Sequence, residues 1–142
     1  MLSHAEKKSI LRSVEMFSEA SASILEKLSE IVEEVTFQKG QELTSQGIRC
    51  PNLYVLASGS IGIYIREGEG EREAAILSDP GKVVGEIGAV SGLVATATVR
   101  AVSDEAHFLQ LEGERFNKII SAEPQVATTV LRSLARYLKA NS

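Results

Sequence analysis

The chain has 142 residues, with 15 Lys and Arg against 19 Asp and Glu, a formal charge of −4 and 44% hydrophobic residues. That is the balance of an ordinary soluble globular domain, and the length predicts one compact domain with a sizeable core. A single cysteine, Cys50, excludes disulfide stapling, an iron–sulfur cluster and a Cys-rich zinc site within the chain. The mild acidity offers no general attraction to nucleic acid, so direct nucleic-acid binding is not expected. Charged residues from Glu6 to Lys8 precede any apolar run, unlike a signal peptide. The longest uncharged run, residues 87–99, falls short of the roughly 20 apolar residues of a membrane span. The expectation is a cytoplasmic protein without membrane insertion.

In chain order, residues 7–14 read as a short helix that ends near Met16 and Phe17. A second helix follows, capped by Ser21 or Ser23, and Ser23 with Glu26 has the capping-box spacing. Its apolar residues Ile24, Leu25, Leu28, Ile31, Val32 and Val35 recur at the helical period, opposite a solvated face of Glu26, Glu30, Glu33 and Glu34. The leading helices are therefore placed over residues 7–35.

From residue 35 to 111, short β-branched runs alternate with glycines at 40, 47, 59, 68, 70 and 81. Residues 53–57 and 61–65 are predicted strands joined by a hairpin turn at Ser58-Gly59-Ser60. Residues 66–73 read as a charged loop, 74–77 as a strand, and Asp79-Pro80-Gly81 as a turn. Residues 97–102 and 107–111 complete the strands. Many short strands with turns between them predict a small sandwich or barrel, a mainly β fold with flanking helices. Helix returns at 114–121, and Pro124 opens a last helix over 124–140. Val126, Val130, Leu131, Leu134 and Leu138 form its apolar stripe, with Arg132, Arg136 and Lys139 outside it. The stripe either packs inward or pairs with a second copy, giving a homodimer.

The informative segment is Gly85-Glu86-Ile87-Gly88-Ala89-Val90, directly after the strand residues Val83 and Val84. A glycine leading into a short helix presents backbone N–H groups that suit an anion such as phosphate. Glu86 brings a like charge, which makes sense if its carboxylate accepts hydrogen bonds from ligand hydroxyls, as a ribose supplies. The alternative is a purely structural turn. No enzyme is indicated and no catalytic or metal site is expected. His4 lies near a terminus, His107 beside Phe108 reads as a strand residue, and Cys50 has no neighbouring histidine to activate it.

Several ordered motifs then point to a family. They are Leu11-Arg12-Ser13-Val14-Glu15-Met16-Phe17, Leu28, Phe37, Lys39-Gly40, Gly47 and Leu53-Tyr54-Val55-Leu56-Ala57-Ser58-Gly59-Ser60. Asp79-Pro80-Gly81, Gly85-Glu86-Ile87-Gly88 and Ala97-Thr98-Val99-Arg100-Ala101 follow. Over residues 10–139 the chain resembles the cyclic-nucleotide-binding domains of the catabolite activator protein and the protein kinase A regulatory subunit. The resemblance implies one domain over residues 10–140, with a jelly-roll-like double-stranded β-helix over 35–111 and C-terminal helices over 114–140. It further implies a regulatory sensor in signal transduction. Its ligand would be cyclic AMP or cyclic GMP, bound at Gly85, Glu86, Ile87, Gly88, Ala89, Ala95 and Thr96.

The family's phosphate-binding cassette reads roughly F-G-E-L-A-L-L, a few variable residues, then P-R-A-A-T-V. Here the proline position falls on Val94 and the arginine position on Ala95. The resemblance assigns that arginine to the cyclic phosphate, the retained Glu86 to the ribose hydroxyl, and a hydroxyl near the phosphate to Thr96. Losing a two-bond Arg–phosphate contact costs roughly 3–5 kcal/mol, about a hundred- to several-thousand-fold in affinity. Arg100 is the nearest replacement, but 95 and 100 have opposite parity on a regular strand. Arg49, Arg66 and Arg72 lie in or near loops. The expectation is weak or absent cyclic AMP binding. The alternative is a degenerate barrel, its pocket made apolar by Leu93, Val94 and Ala95, that serves as an interaction or dimerisation module or senses another ligand. Some relatives sense haem through His or Cys, which leaves His107 and Cys50 as candidate ligands. The winged helix-turn-helix that follows the long helix in the family's transcription factors is not within these residues, so no DNA-binding domain is expected.

Overall fold

The structure is a computed structural model that describes residues 1–92 and 94–140. Ser3 opens α1 (His4–Ser13): its hydroxyl accepts the Glu6 N–H at 3.1 Å while the Glu6 carboxylate accepts the Ser3 N–H at 3.0 Å. The capping box thus forms here and not at Ser23. After a 3-10 turn at Glu15–Phe17, Ser21 caps α2 (Ala22–Ile31) by accepting the Ile24 N–H at 3.2 Å. α2 stops at Ile31, short of the expected residue 35. The following run belongs to strand β1 (Glu33–Gln38), which pairs antiparallel with β8 (Glu105–Glu112) along its whole length. Val35, Thr36 and Phe37 are β-formers, and that pairing outweighs the helical period that Val35 continues.

The architecture is mainly β, with two antiparallel four-stranded sheets and flanking helices. The first sheet is ordered β1, β8, β3 (Asn52–Ser58), β6 (Val83–Val84). The second is ordered β2 (Glu42–Thr44), β7 (Thr98–Ala101), β4 (Ile61–Glu67), β5 (Gly70–Leu77). Since β3 and β4 lie in different sheets, Ser58-Gly59-Ser60 is a corner and not the expected hairpin turn. It locks against the β7–β8 corner: the Ser60 N–H donates to Ser103 Oγ at 2.9 Å and the Val102 N–H to the Ser60 carbonyl at 3.0 Å. Gly59 is required there, because its φ is +90° and a Cβ would lie 2.6 Å from the Glu105 carbonyl oxygen. The stretch expected as a charged loop is instead the β4–β5 hairpin, with Arg66 opposite Glu71 and Glu67 opposite Gly70. Both faces of that ribbon end are exposed, so its charges stay hydrated while the backbone pairs.

The core has two parts, and β3 divides itself between them. Leu53 and Val55 face the helices with Leu109 and Leu111 of β8, packed on Leu11, Phe17, Ile24, Leu28 and Phe116. Tyr54 and Leu56 face the barrel interior with Phe108, Ile61 and Val99. Inside, Phe108 meets Phe37 edge-on at 5.6 Å between ring centroids, and Tyr54 meets Phe37 at 5.7 Å. The chain closes with α4 (Gly113–Ser121) and α5 (Pro124–Ala140). Val126 and Val130 are buried, so the α5 stripe packs inward there, while Leu131 is 66% exposed. The side chains of Leu134, Leu138 and Lys139 lie outside the described residues.

Candidate ligand site

The site starts at Gly85, which follows β6 and caps the short helix α3 (Glu86–Ser91) in the left-handed conformation at φ +85°. A Cβ there would sit 2.4 Å from the Asn52 carbonyl oxygen, so only glycine lets β6 turn this tightly over β3 into α3. Beneath the turn lies a cavity of about 80 Å³ that opens to solvent, so a ligand in it is only partly enclosed. Gly85, Glu86 and Gly88 line it from one side, and Ala95, Thr96 and Ala97 from the other. The barrel supplies the floor: Thr44 of β2, Ile63 of β4, Val84 of β6, Val99 of β7, and Cys50.

Five of the seven expected site residues therefore meet at one cavity. Ala89 does not line it; it is buried in the helical core, and its carbonyl accepts the Asn117 side-chain amide of α4 at 3.1 Å. Ile87 has a place in α3, but its side chain, like Leu93, lies outside the described residues. Thr44, Ile63, Val99 and Cys50 were not anticipated as walls. Strand alternation in β7 is the signal that could have found Val99 beside Ala97, whereas nothing in the sequence brings Cys50 across from β6.

The electrostatics are one-sided. Glu86 is half-buried, and burial pushes its carboxyl above the ordinary value of 4.5, with its own backbone N–H pulling the other way. Burial likewise pushes the Cys50 thiol up, and Glu86 adds to this. The thiol donates to the Asn52 carbonyl at 3.2 Å, so it is a packed thiol and not an activated nucleophile. None of the arginines considered as replacements lines the cavity. Arg100 sits on the outer face of the second sheet, as its parity predicts. It donates twice to Glu71 at 2.8 Å and once to Glu42 at 3.1 Å, and lies 4.9 Å over the Tyr64 ring. Arg66 donates to the Gln46 carbonyl at 2.6 Å, and Arg72 pairs with Glu67 at 3.1 Å. Arg49 is exposed on the rim, across a β-bridge from Val94.

The backbone at Ala95 is held in place. The Ala95 N–H donates to the Ile48 carbonyl, and the Ala95 carbonyl accepts the Gly47 N–H, both at 2.9 Å. Val94 is 51% exposed and does not line the cavity, which corrects the expectation that it helps to fill the pocket. Leu93 lies outside the described residues.

Other chemistry is not assembled among the described residues. His4 Nε2 lies 2.7 Å from Glu26 and 3.3 Å from Ser29 Oγ, so acid and hydroxyl share one ring nitrogen. A nucleophilic triad needs them on opposite nitrogens. His107 bonds Thr36 at the far end of the first sheet and shares no cavity with Cys50, so the two do not form a haem site. No group of His, Cys, Asp and Glu among the described residues could hold a metal, and no described helix is long and apolar enough to cross a membrane.

Residues 34–123 match the family model for the cyclic nucleotide-binding domain. A cGMP-dependent protein kinase of Drosophila melanogaster is 27% identical over 123 residues, covering 85% of this chain. The chain spans only 13% of that kinase's length. Among solved structures, the Thermus thermophilus catabolite activator protein superposes with a TM-score of 0.78 at 26% identity, covering 89% of this chain and 59% of its own. The regulatory domain of Toxoplasma gondii protein kinase A, crystallised with cAMP, gives 0.81 at 19% identity, over 96% of this chain and 50% of its own.

Proposed function

The chain belongs to the cyclic nucleotide-binding domain family, and from that premise we propose a regulatory ligand-binding domain whose cassette has kept its hydroxyl acceptor and lost its phosphate cation. One observation carries the reading: the cavity is lined by Glu86 and, among the described residues, by no Lys or Arg. Glu86 accepts hydrogen bonds from the ribose hydroxyls of a ligand, while Gly85 and Gly88 let the backbone approach it. Thr96 stands beside the position where the cyclic phosphate would lie. Ala95 occupies the place of the cation, so cyclic AMP and cyclic GMP bind weakly. Residues 10–140 act as one non-catalytic ligand-binding domain.

The output runs through the helices. α3 is tied to α4 by the Asn117–Ala89 bond, and α5 is tied to the 3-10 turn after α1 by the Arg136–Glu15 ion pair. A ligand that shifts α3 therefore biases where α4 and α5 rest. The exposed Leu131 supports pairing of residues 124–140 with a second copy. Light scattering at high concentration gives a dimer on this reading, and a persistent monomer counts against it.

Calorimetry with cyclic AMP and cyclic GMP tests the ligand. Without the two-bond phosphate contact, dissociation constants of ~10 µM or weaker are expected. Submicromolar binding of either would overturn the reading.

A further inference from the structure

The cavity that lacks a cation still has chemistry of its own, and that chemistry selects a class of ligand. Among the described residues its ionisable lining consists of Glu86 and Cys50, neither of which carries positive charge in any protonation state. Of the arginines considered as replacements, Arg100 is held by Glu71 and Glu42, Arg66 by the Gln46 carbonyl and Arg72 by Glu67, while Arg49 lies exposed on the rim and does not line the cavity. Apart from the neutral hydroxyl residues Thr44 and Thr96, the remaining walls are apolar or glycine, with Ile63, Val84 and Val99 on the floor and Ala95 in place of the cation. An anion brought into this space would lie close to a half-buried carboxylate, where water screens the repulsion poorly. A neutral ligand meets no such opposition. Hydroxyl groups satisfy Glu86, and an apolar or aromatic face satisfies the floor.

We propose that the ligand of this cavity is an uncharged ribose-bearing molecule, a nucleoside and not its cyclic phosphate. The inference rests on the reading of Glu86 as the hydroxyl acceptor and of Ala95 as the vacated cation position. On it, losing the arginine is not mere decay of a nucleotide site. It removes a positive charge that a neutral ligand does not need, and it leaves Glu86 as the discriminating group against anions.

The test is calorimetry of the full chain with adenosine and guanosine alongside cyclic AMP and cyclic GMP, in one buffer. At least one nucleoside is expected to bind tenfold or more tightly than its own cyclic monophosphate. Glu86→Gln is expected to weaken the nucleoside tenfold or more and the cyclic nucleotide by a smaller factor, because there the lost hydroxyl acceptor is partly offset by the lost repulsion. Ala95→Arg, at a position that lines the cavity, is expected to reverse the preference. A cyclic nucleotide that binds the wild type more tightly than its nucleoside overturns the inference. So does the absence of nucleoside binding at millimolar concentration. If nucleosides fail but Ala95→Arg gains cyclic nucleotide binding, this inference falls and the reading of the cassette stands. Submicromolar cyclic AMP binding by the wild type sinks both.

Discussion

The two sheets are built to the same size and buried differently. The first is covered on both sides, by the helices on one face and by the barrel interior on the other, so Leu53 to Leu56 of β3 are buried in succession. The second has one inner face, and its outer face carries the Arg100–Glu71–Glu42 cluster in solvent. Most of the cavity floor comes from the second sheet, through Thr44, Ile63 and Val99, whereas the turn that covers it rests on the first through Asn52. The sheet that is shared with the helices therefore holds the fold, and the sheet that is free on one side shapes the pocket. A side chain on the pocket rim can therefore change without touching either core.

Truncation on the two sheets should separate them most widely. Leu109→Ala in β8, fully buried against the helices, should cost about 2–5 kcal/mol, as cavity-forming changes do. Ile76→Ala in β5, at a side chain 47% exposed, should stay within about 0.5 kcal/mol. Urea denaturation of both variants measures the contrast, and equal losses would break it. Gly59→Ala comes next, since it strains the corner that joins the sheets. A loss of roughly 1–3 kcal/mol is expected from the left-handed backbone and the contact with the Glu105 carbonyl.

A smaller effect should appear at Glu86. Its carboxyl titrates above the ordinary value in the folded chain, so folding binds the proton more tightly than the unfolded chain does. Its contribution is favourable below the unfolded value of about 4.5 and is lost as pH rises through the folded value. Glu86→Gln should therefore raise the melting temperature at pH 8 by about a few degrees and leave it unchanged at pH 4, as read by thermal denaturation. A gain that is the same at both pH values would contradict the burial argument. The smallest effect belongs to the outer face of the second sheet. Glu71 holds Arg100 more firmly protonated than usual, with Glu42 adding to it, but the cluster faces water. Arg100→Ala should lower the melting temperature by about a degree or two, and by less in 1 M salt.

Much of this comparison was legible in the sequence. The apolar run from Leu53 to Leu56 marked a strand, and the Pro124 start of α5 was plain. The glycine turn from β6 into α3 could be read at Gly85 and Glu86, and the opposite parity of Ala95 and Arg100 agrees with an Arg100 side chain that stays out of the cavity. Sheet membership could not be read, because a Ser-Gly-Ser turn looks the same whether it joins partners or crosses between sheets. Long-range contacts distinguish them: the approach of Gly59 to Glu105 and the bonds of Ser60 with Ser103 and Val102. The charged β4–β5 ribbon looked like a loop because exposed strands carry no apolar period. Cys50 became a pocket wall through a long-range approach to Gly85, which no local pattern reports.

The central claim is that one position separates this cavity from a tight cyclic nucleotide site. Its most direct test is the cyclic AMP dissociation constant of Ala95→Arg beside that of the wild type, measured by calorimetry under identical conditions. The account predicts that the variant binds about a hundred- to several-thousand-fold more tightly, the gain of a two-bond phosphate contact. Equal affinity in the two proteins, with both folded by circular dichroism, would contradict it.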